Sequence, residues 1–163
     1  MTFFLPDLTI SVRRIIFSAM AGLAWLMLPG FAAAQSEWLT LVGNVSQPSE
    51  AFKDVVQVNP SSINDTSGLR VMQIRASRAE TRLSWDGVPY RSFEATVEFD
   101  CEKKTARYAS LNYFMEPVWQ GTSHKTSTYT REQFRPMAFR SMVPNPAARI
   151  IRAACESKAV LSN

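Results

Sequence analysis

Histidine is almost absent from this sequence, since His124 is the one histidine among 163 residues. A serine triad or a histidine-rich metal site would therefore have to use it. The base of a triad must be oriented by a third group, whereas His124 lies in a polar stretch typical of a solvated loop, Thr122-Ser123-His124-Lys125. This scarcity argues against enzymes that depend on a histidine base, and we predict no catalytic residue.

Motifs that bind phosphate are also missing. The glycines beyond residue 34 stand singly at predicted turns, and they form neither a phosphate loop nor a dinucleotide-binding pattern. Glu94, Glu98 and Asp100 could supply a carboxylate pair, but residues two apart on one strand lie side by side, not across a cleft as in glycosidases. We therefore predict solvated charges at these positions, no enzyme activity and no cofactor.

The basic stripe that nucleic-acid binding requires is not present. The net charge is only +4, and the arginines are interspersed with acids such as Glu80, Asp86 and Glu94. We expect most of these charges on solvated faces. The sequence therefore predicts no nucleic-acid partner.

No apolar run reaches the length of about 20 residues that a membrane-spanning helix needs. The longest covers residues 15–28; two arginines precede it, and an Ala-x-Ala pattern that ends at Ala34 follows it. A retained membrane anchor is the alternative interpretation. We predict a secretory signal peptide over residues 1–34 and a single exported domain over residues 35–163, with no membrane span after cleavage.

Cysteine is limited to Cys101 and Cys155. A redox pair or a metal site would be the functional alternatives, but there is no Cys-x-x-Cys sequence and no third soft ligand. Two cysteines in an exported chain favour one structural disulfide. We predict a Cys101–Cys155 disulfide and no metal site.

An alternating stretch in the middle of the chain predicts the main strand. From Phe93 to Cys101 apolar residues occupy every second position, which gives a strand with one buried and one solvated face. A polar turn separates it from a second strand-like stretch over residues 105–114, so the two are expected to form a hairpin. Asp86-Gly87 predicts a tight turn before it.

Further strands are predicted on either side of this hairpin. Residues 38–42 form the first, and residues 55–58 form the second, which Asn59-Pro60 is expected to stop. Residues 69–76 suit a central strand that is buried on both faces. Residues 119–130 predict either a last pair of strands or a long loop.

The chain is expected to return to the core and to end in a helix. Three apolar residues would lead it back: Phe134, Met137 and Phe139. Asn145 is a good N-cap, Pro146 suits the first helical position, and residues 147–158 contain no helix breaker. Apolar residues recur on one face of this helix: Ile150, Ile151, Ala154 and Cys155. A disulfide from that face would hold the helix on the sheet, in an α+β arrangement.

One stretch combines basic and aromatic side chains over a short span and is the candidate binding cluster. Its members are Arg107, Tyr108, Tyr113, Phe114, Trp119, Lys125 and Tyr129. Tryptophan, tyrosine and arginine are enriched among the residues that anchor protein interfaces. The alternative is that Tyr108, Phe114 and Trp119 fill the core, because most large aromatic side chains are buried.

Several marks of the sequence occur together in one family. In chain order they are Trp38, Tyr90-Arg91-Ser92, Val97-Glu98-Phe99-Asp100-Cys101, Phe139, Val143-Pro144 and Cys155 on the final helix. With these marks the chain resembles secreted bacterial domains of the surface-adhesin protein E family over nearly all of residues 35–163. The Val-Glu-Phe-Asp-Cys run and the distant helical cysteine are the most specific part of the resemblance.

This resemblance implies a small antiparallel sheet packed against a carboxy-terminal helix and stapled by the Cys101–Cys155 disulfide. It also implies a non-enzymatic domain that binds host extracellular-matrix proteins, and it raises homodimerisation as an option. The alternative function is a periplasmic structural or housekeeping domain that binds a bacterial envelope partner or a small ligand. Both interpretations put the chain outside the cytoplasm, in the periplasm or at the cell surface.

Overall fold

One antiparallel sheet and one helix make up the fold. The computed structural model describes residues 38–45 and 53–156; the predicted signal peptide and the last two residues of the predicted helix lie outside them. Six strands follow one another across the sheet in the order of the sequence. The elements are β1 (Leu39–Val42), β2 (Val55–Thr66), β3 (Leu69–Leu83), β4 (Pro89–Asp100), β5 (Thr105–Phe114), β6 (Lys125–Thr128) and α1 (Ala147–Glu156).

The predicted hairpin is confirmed as β4 and β5. Phe93 is paired with Tyr113, and Ala95 with Leu111, in an antiparallel register. The alternate residues of β4 that were predicted to be apolar and buried are buried in the structure, and Phe99 is 0% exposed. We call this side of the sheet, which also carries α1, the inner face, and the opposite side the outer face.

Strands β2 and β3 are longer than the sequence patterns predict. The expected stop at Asn59-Pro60 is wrong, because β2 continues to Thr66. The register with β3 shifts between Asn59 and Asn64, and such an irregularity is where a strand can accommodate a proline. Strand β3 is buried on one face and not on both, since Ile74 is buried whereas Gln73 is exposed.

The chain after β5 crosses from the outer to the inner face. A 3-10 turn over Pro117–Trp119 precedes the single short strand β6, so residues 119–130 contain neither a strand pair nor one uninterrupted loop. The amide of Met137 then donates to the carbonyl of Ala106 on β5 (2.9 Å). Met137 is buried as predicted. The prediction for Phe134 is wrong, because that side chain is 52% exposed and the chain enters the core only after it.

Helix α1 begins as its sequence predicts and packs on the inner face. The amide of Ala147 donates to the side-chain oxygen of Asn145 (3.0 Å), which is an N-cap hydrogen bond. Ile150 and Ala154 are buried in the core. At the other end, the Arg70 guanidinium on β3 donates to the carbonyl of Ala154 (2.7 Å) and so satisfies an acceptor that a helix end leaves unpaired.

The predicted disulfide joins the end of β4 to α1. The sulfur atoms of Cys101 and Cys155 are 2.10 Å apart and the two Cα atoms 5.5 Å apart. Both residues adjoin the buried cluster, in which Ile150 and Phe99 lie. The bridge therefore holds the helix on the sheet, as the α+β prediction requires.

Removing the disulfide should lower the free energy of unfolding by about 4 kcal/mol, because the bridge closes a long loop in the unfolded chain. The separation of the two cysteines is 54 residues. Urea unfolding of the Cys101→Ala/Cys155→Ala variant and of the parent protein would measure the loss. A reducing agent should destabilise the parent and leave the double variant unchanged. Equal unfolding midpoints for parent and variant would contradict the prediction.

Candidate functional site

The sheet separates the members of the predicted binding cluster. Tyr108, Tyr113 and Tyr129 are buried on the inner side, where they line a cavity. Trp119 lies on the outer face and is partly exposed, and Lys125 is exposed at the start of β6. The sheet thus brings the tyrosines together but does not unite them with Trp119.

Arg107, another member of the cluster, is buried among polar partners. Its guanidinium forms an ion pair with Glu98 (2.8 Å) and donates to the backbone carbonyls of Tyr129 (3.3 Å) and Thr130 (3.0 Å). These bonds attach the chain after β6 to the β4–β5 hairpin. Phe114, the remaining member, is also buried.

A row of polar residues crosses the outer face, with one residue from each strand. The members, aligned by the strand register, are Thr40, Gln57, Arg75, Glu94, Asn112 and Thr126. We call this set the polar row. Side chains on one face of neighbouring strands lie close enough to interact directly.

Hydrogen bonds connect most members of the polar row. The side-chain amide of Gln57 donates to the Thr40 hydroxyl (2.8 Å), and Nε of Arg75 donates to the Gln57 carbonyl oxygen (2.7 Å). Towards β6, the Thr126 hydroxyl donates to the side-chain oxygen of Asn112 (2.8 Å). These bonds fix two parts of the row, one from Thr40 to Arg75 and one from Asn112 to Thr126, before any partner binds.

Two tryptophans enclose the arginine at the centre of the row. The guanidinium carbon of Arg75 lies 4.2 Å from the ring centroid of Trp38 and 4.0 Å from that of Trp119. Such distances allow a cation–π attraction to each indole. Burial lowers the pKa of Arg75, and Glu94, 3.7 Å from the guanidinium, opposes that shift. We call Trp38, Arg75 and Trp119 the tryptophan clamp.

Two small serines hold Trp119 in the clamp. The Ser92 hydroxyl accepts from the Trp119 amide (3.0 Å), and the Ser77 hydroxyl accepts from the Val118 amide (2.9 Å). The Trp119 indole also donates to the carbonyl of Phe93 (2.9 Å). Val118 and Trp119 have φ angles of 47° and 61°, which are rare for bulky residues and typical of constrained sites.

Sequence reasoning missed both the clamp and its supports. Trp38 and Ser92 were named only as marks of the family resemblance, and Arg75 and Ser77 were not among the predicted binding residues. The one signal available was that a small serine stands at two outer-face positions of the sheet. Both serines are 0% exposed in the structure. Small side chains at such positions allow another segment to lie directly on the sheet.

A shallow groove of about 90 Å³ runs beside the clamp on the outer face. It is lined by polar side chains that include Glu94, Thr96, Ser110 and Asn112, and by Trp38. The groove therefore continues the polar row and gives the outer face a surface that is polar, aromatic and slightly concave.

Residues 38–45 and 53–156 contain no group of three or more histidine, cysteine or acidic side chains that could hold a metal ion. His124 is exposed in the loop before β6, and its backbone amide donates to the carbonyl of Tyr113 (3.0 Å). The same two ranges contain no helix with the length and apolarity to cross a membrane.

Comparison with known proteins gives one family. The family model for surface-adhesin protein E matches residues 43–156. The chain belongs to this family. No curated protein and no solved structure matches it.

The most specific sequence mark of the surface-adhesin protein E resemblance is structural in this chain. Val97 and Phe99 are fully buried, while Glu98 pairs with Arg107. The carboxylate of Asp100 accepts from the amide of Lys103 (2.9 Å) in the turn that follows β4. The motif therefore builds the hairpin and the disulfide, and it does not itself form the clamp.

The clamp draws on the chain on both sides of this motif. Trp38 precedes the residues that the surface-adhesin protein E model matches, whereas Arg75 and Trp119 lie within them. The inner-face cavity lies entirely within the matched residues and has a volume of about 420 Å³. These two places, one on each face of the sheet, are the candidate sites.

Tyrosines in and near the cavity should lower the stability of the protein at alkaline pH. Burial raises the pKa of Tyr108, and the neighbouring Tyr90 and Tyr113 raise it further, against a smaller opposing effect of the Ala138 amide. Burial and a hydrogen bond with Tyr129 likewise raise the pKa of Tyr113. Above about pH 10 the unfolded chain therefore loses tyrosine protons that the folded protein keeps.

The free energy of unfolding should consequently fall as the pH rises beyond about 10. Urea unfolding between about pH 9 and about pH 11 would measure the fall, by up to about 1.4 kcal/mol per pH unit for each shifted group. Tyr108→Phe should make the pH dependence shallower. A free energy that stays constant over this range, or an unchanged slope in the variant, would contradict the prediction.

Proposed function

We propose that this chain is an exported, non-enzymatic binding domain that holds a protein partner on the outer face of its sheet. The observation that carries the proposal is the tryptophan clamp, in which Arg75 lies between Trp38 and Trp119. Membership of the surface-adhesin protein E family supports an adhesin role. The Cys101–Cys155 disulfide supports export, because such bridges persist outside the reducing cytoplasm.

The chemistry of the clamp suits a protein partner. Tryptophan and arginine are the residues most often found at the energetic centre of protein interfaces. Arg75 is already hydrogen-bonded to Gln57 and stacked between two rings. Less side-chain freedom then has to be lost on binding, so the surface is pre-organised.

The partner class that the family resemblance suggests is a host extracellular-matrix protein. The groove and the polar row offer hydroxyl, amide and carboxylate groups beside aromatic rings, a combination that recognises polar and charged side chains of a protein surface. Thr126 on the edge strand β6 ends this surface, whereas Lys125 is paired with Tyr113 and so belongs to the inner side of the sheet. A second copy of the chain is a further candidate partner, consistent with the homodimer that the resemblance raises.

The second candidate function is a periplasmic domain that binds a bacterial envelope partner or a small ligand. The inner-face cavity favours it, because its volume of about 420 Å³ lies within the usual range of small-molecule sites, about 300–1,000 Å³. Protease added to intact cells separates the two candidates. Digestion of the protein supports surface display, whereas protection until the outer membrane is opened supports the periplasmic function.

Binding should depend on the clamp. Trp38→Ala and Trp119→Ala should each weaken binding to an immobilised matrix protein by roughly thirtyfold, since residues at the centre of an interface contribute about 2 kcal/mol or more. Titration of the protein over a panel of immobilised matrix proteins would measure the affinities. Trp119→Ala also removes the bond to Phe93, and Trp38→Ala serves as the variant without that complication.

The chain offers a matched control for these substitutions. Trp85 is stacked with Arg140 at 4.3 Å but lines the inner-face cavity. Trp85→Ala removes the same side chain from the other side of the sheet and should leave matrix binding unchanged. The proposal fails if no matrix protein binds saturably, or if the clamp variants bind as tightly as Trp85→Ala.

A further inference from the structure

We propose that the inner-face cavity is a binding site for a small organic acid with an apolar body and one carboxylate. The inference is independent of the function proposed for the outer face, and it rests on the second candidate function, the binding of a small ligand, whose chemical class it names. The cavity lies where β4 begins, between Tyr90 and Phe93 of that strand and the chain that includes Ala138 and Ser141. It is thus at the opposite end of β4 from Cys101.

The walls of the cavity suit an apolar and preferably aromatic body. Tyr90 lies 5.7 Å from Phe93 and 5.4 Å from Tyr113, measured between ring centroids. Phe93 in turn contacts Tyr108 edge to face at 5.8 Å. These rings hold one another in place, and Leu111 adds an aliphatic surface. A planar ring or a short alkyl chain fits a cavity with such walls.

The charge at the cavity favours a negatively charged ligand. Four arginines line it, and no acidic residue is among the described residues that do so: Arg78, Arg82, Arg135 and Arg140. Two of them are paired with acids behind the lining, Arg78 with Asp54 (3.0 Å) and Arg135 with Asp86 (3.4 Å).

The other two arginines are not neutralised. Within residues 38–45 and 53–156, Arg82 and Arg140 form no ion pair. Arg140 is stacked on Trp85, which leaves its positive charge in place. The cavity therefore carries an excess of positive charge, and a negatively charged ligand is the one that it attracts.

Unpaired hydrogen-bond groups point to the same ligand. In the described part of the chain, four buried side-chain polar atoms have no hydrogen-bond partner, and three of them belong to residues that line this cavity. These three are Nε of Arg82, Nε of Arg135 and the hydroxyl of Tyr108. The Ala138 amide beside this hydroxyl is itself a donor, so the hydroxyl proton has no acceptor among the described residues. Tyr108 is 6% exposed.

Each of these three groups can donate a hydrogen bond. Buried polar groups are almost always paired in proteins, so three unpaired donors at one cavity indicate an acceptor-rich ligand. A carboxylate has two oxygens with about four acceptor positions and matches the planar guanidinium. The apolar body of the ligand would then pack against the aromatic rings of the cavity. Aromatic and fatty acids share this chemistry.

Isothermal titration calorimetry on the disulfide-bonded protein tests the proposal. The probes are 3-phenylpropionate, decanoate and the neutral amide 3-phenylpropionamide. We expect one acid to bind saturably at one molecule per chain, and the amide to bind at least about tenfold more weakly than that acid because it lacks the charge. Tighter binding of 3-phenylpropionate assigns the site to aromatic acids, and tighter binding of decanoate assigns it to fatty acids; either supports the proposal.

Substitutions locate the binding in the cavity. Arg82→Gln removes an unneutralised charge and should weaken binding of the preferred acid by about tenfold. Tyr108→Phe removes one hydroxyl while the ring stays in place, and it should weaken binding less. Arg152→Gln removes an equal charge from the exposed side of α1 and should change nothing.

The outcomes that overturn the proposal are distinct from those that concern the outer face. They are no saturable binding of either acid, binding of 3-phenylpropionamide as tight as that of the preferred acid, or the same affinity for that acid in Arg82→Gln as in Arg152→Gln. Circular dichroism of each variant establishes that it is folded. Because matrix binding is measured separately and depends on Trp38 and Trp119, the failure of one proposal leaves the other unaffected.

Discussion

The pairing of β4 with β5 is the interaction on which the rest of the structure depends. Its register puts Phe93 and Tyr113 side by side on the inner face and Glu94 beside Asn112 on the outer face. A shift by one residue would exchange the two faces. Both candidate sites would then be lost, since the cavity needs the aromatic rings inside and the polar row needs its members outside.

The chain beyond β5 covers the two faces in different ways. On the outer face a short turn is fixed by Ser77 and Ser92, and this places Trp119 over Arg75 without burying it. On the inner face a longer segment reaches the core and helix α1 is held by the disulfide. The outer face is thus left as a surface, while the inner face is covered and forms a half-open cavity.

Local patterns predicted the fold more fully than the sites. Alternation predicted β4, the capping residue Asn145 predicted the start of α1, and the two cysteines predicted the disulfide. These features could be predicted because each of them depends on neighbouring residues or on one pair of residues. The clamp brings Trp38, Arg75 and Trp119 together from three distant parts of the chain. No local sequence pattern shows which distant residues the strand pairing brings together. The cavity and its arginines could not be predicted for the same reason.

Because side chains alternate along the strands, substitutions on one face of the sheet leave the other face unchanged. On β3, Arg75 belongs to the outer face and its neighbours Ile74 and Ala76 to the core, so adjacent codons act on different surfaces. Selection for a new partner can therefore change the outer positions while the inner ones keep the fold and the cavity. In such an architecture the binding surface can be altered by substitution without loss of the shape that supports it.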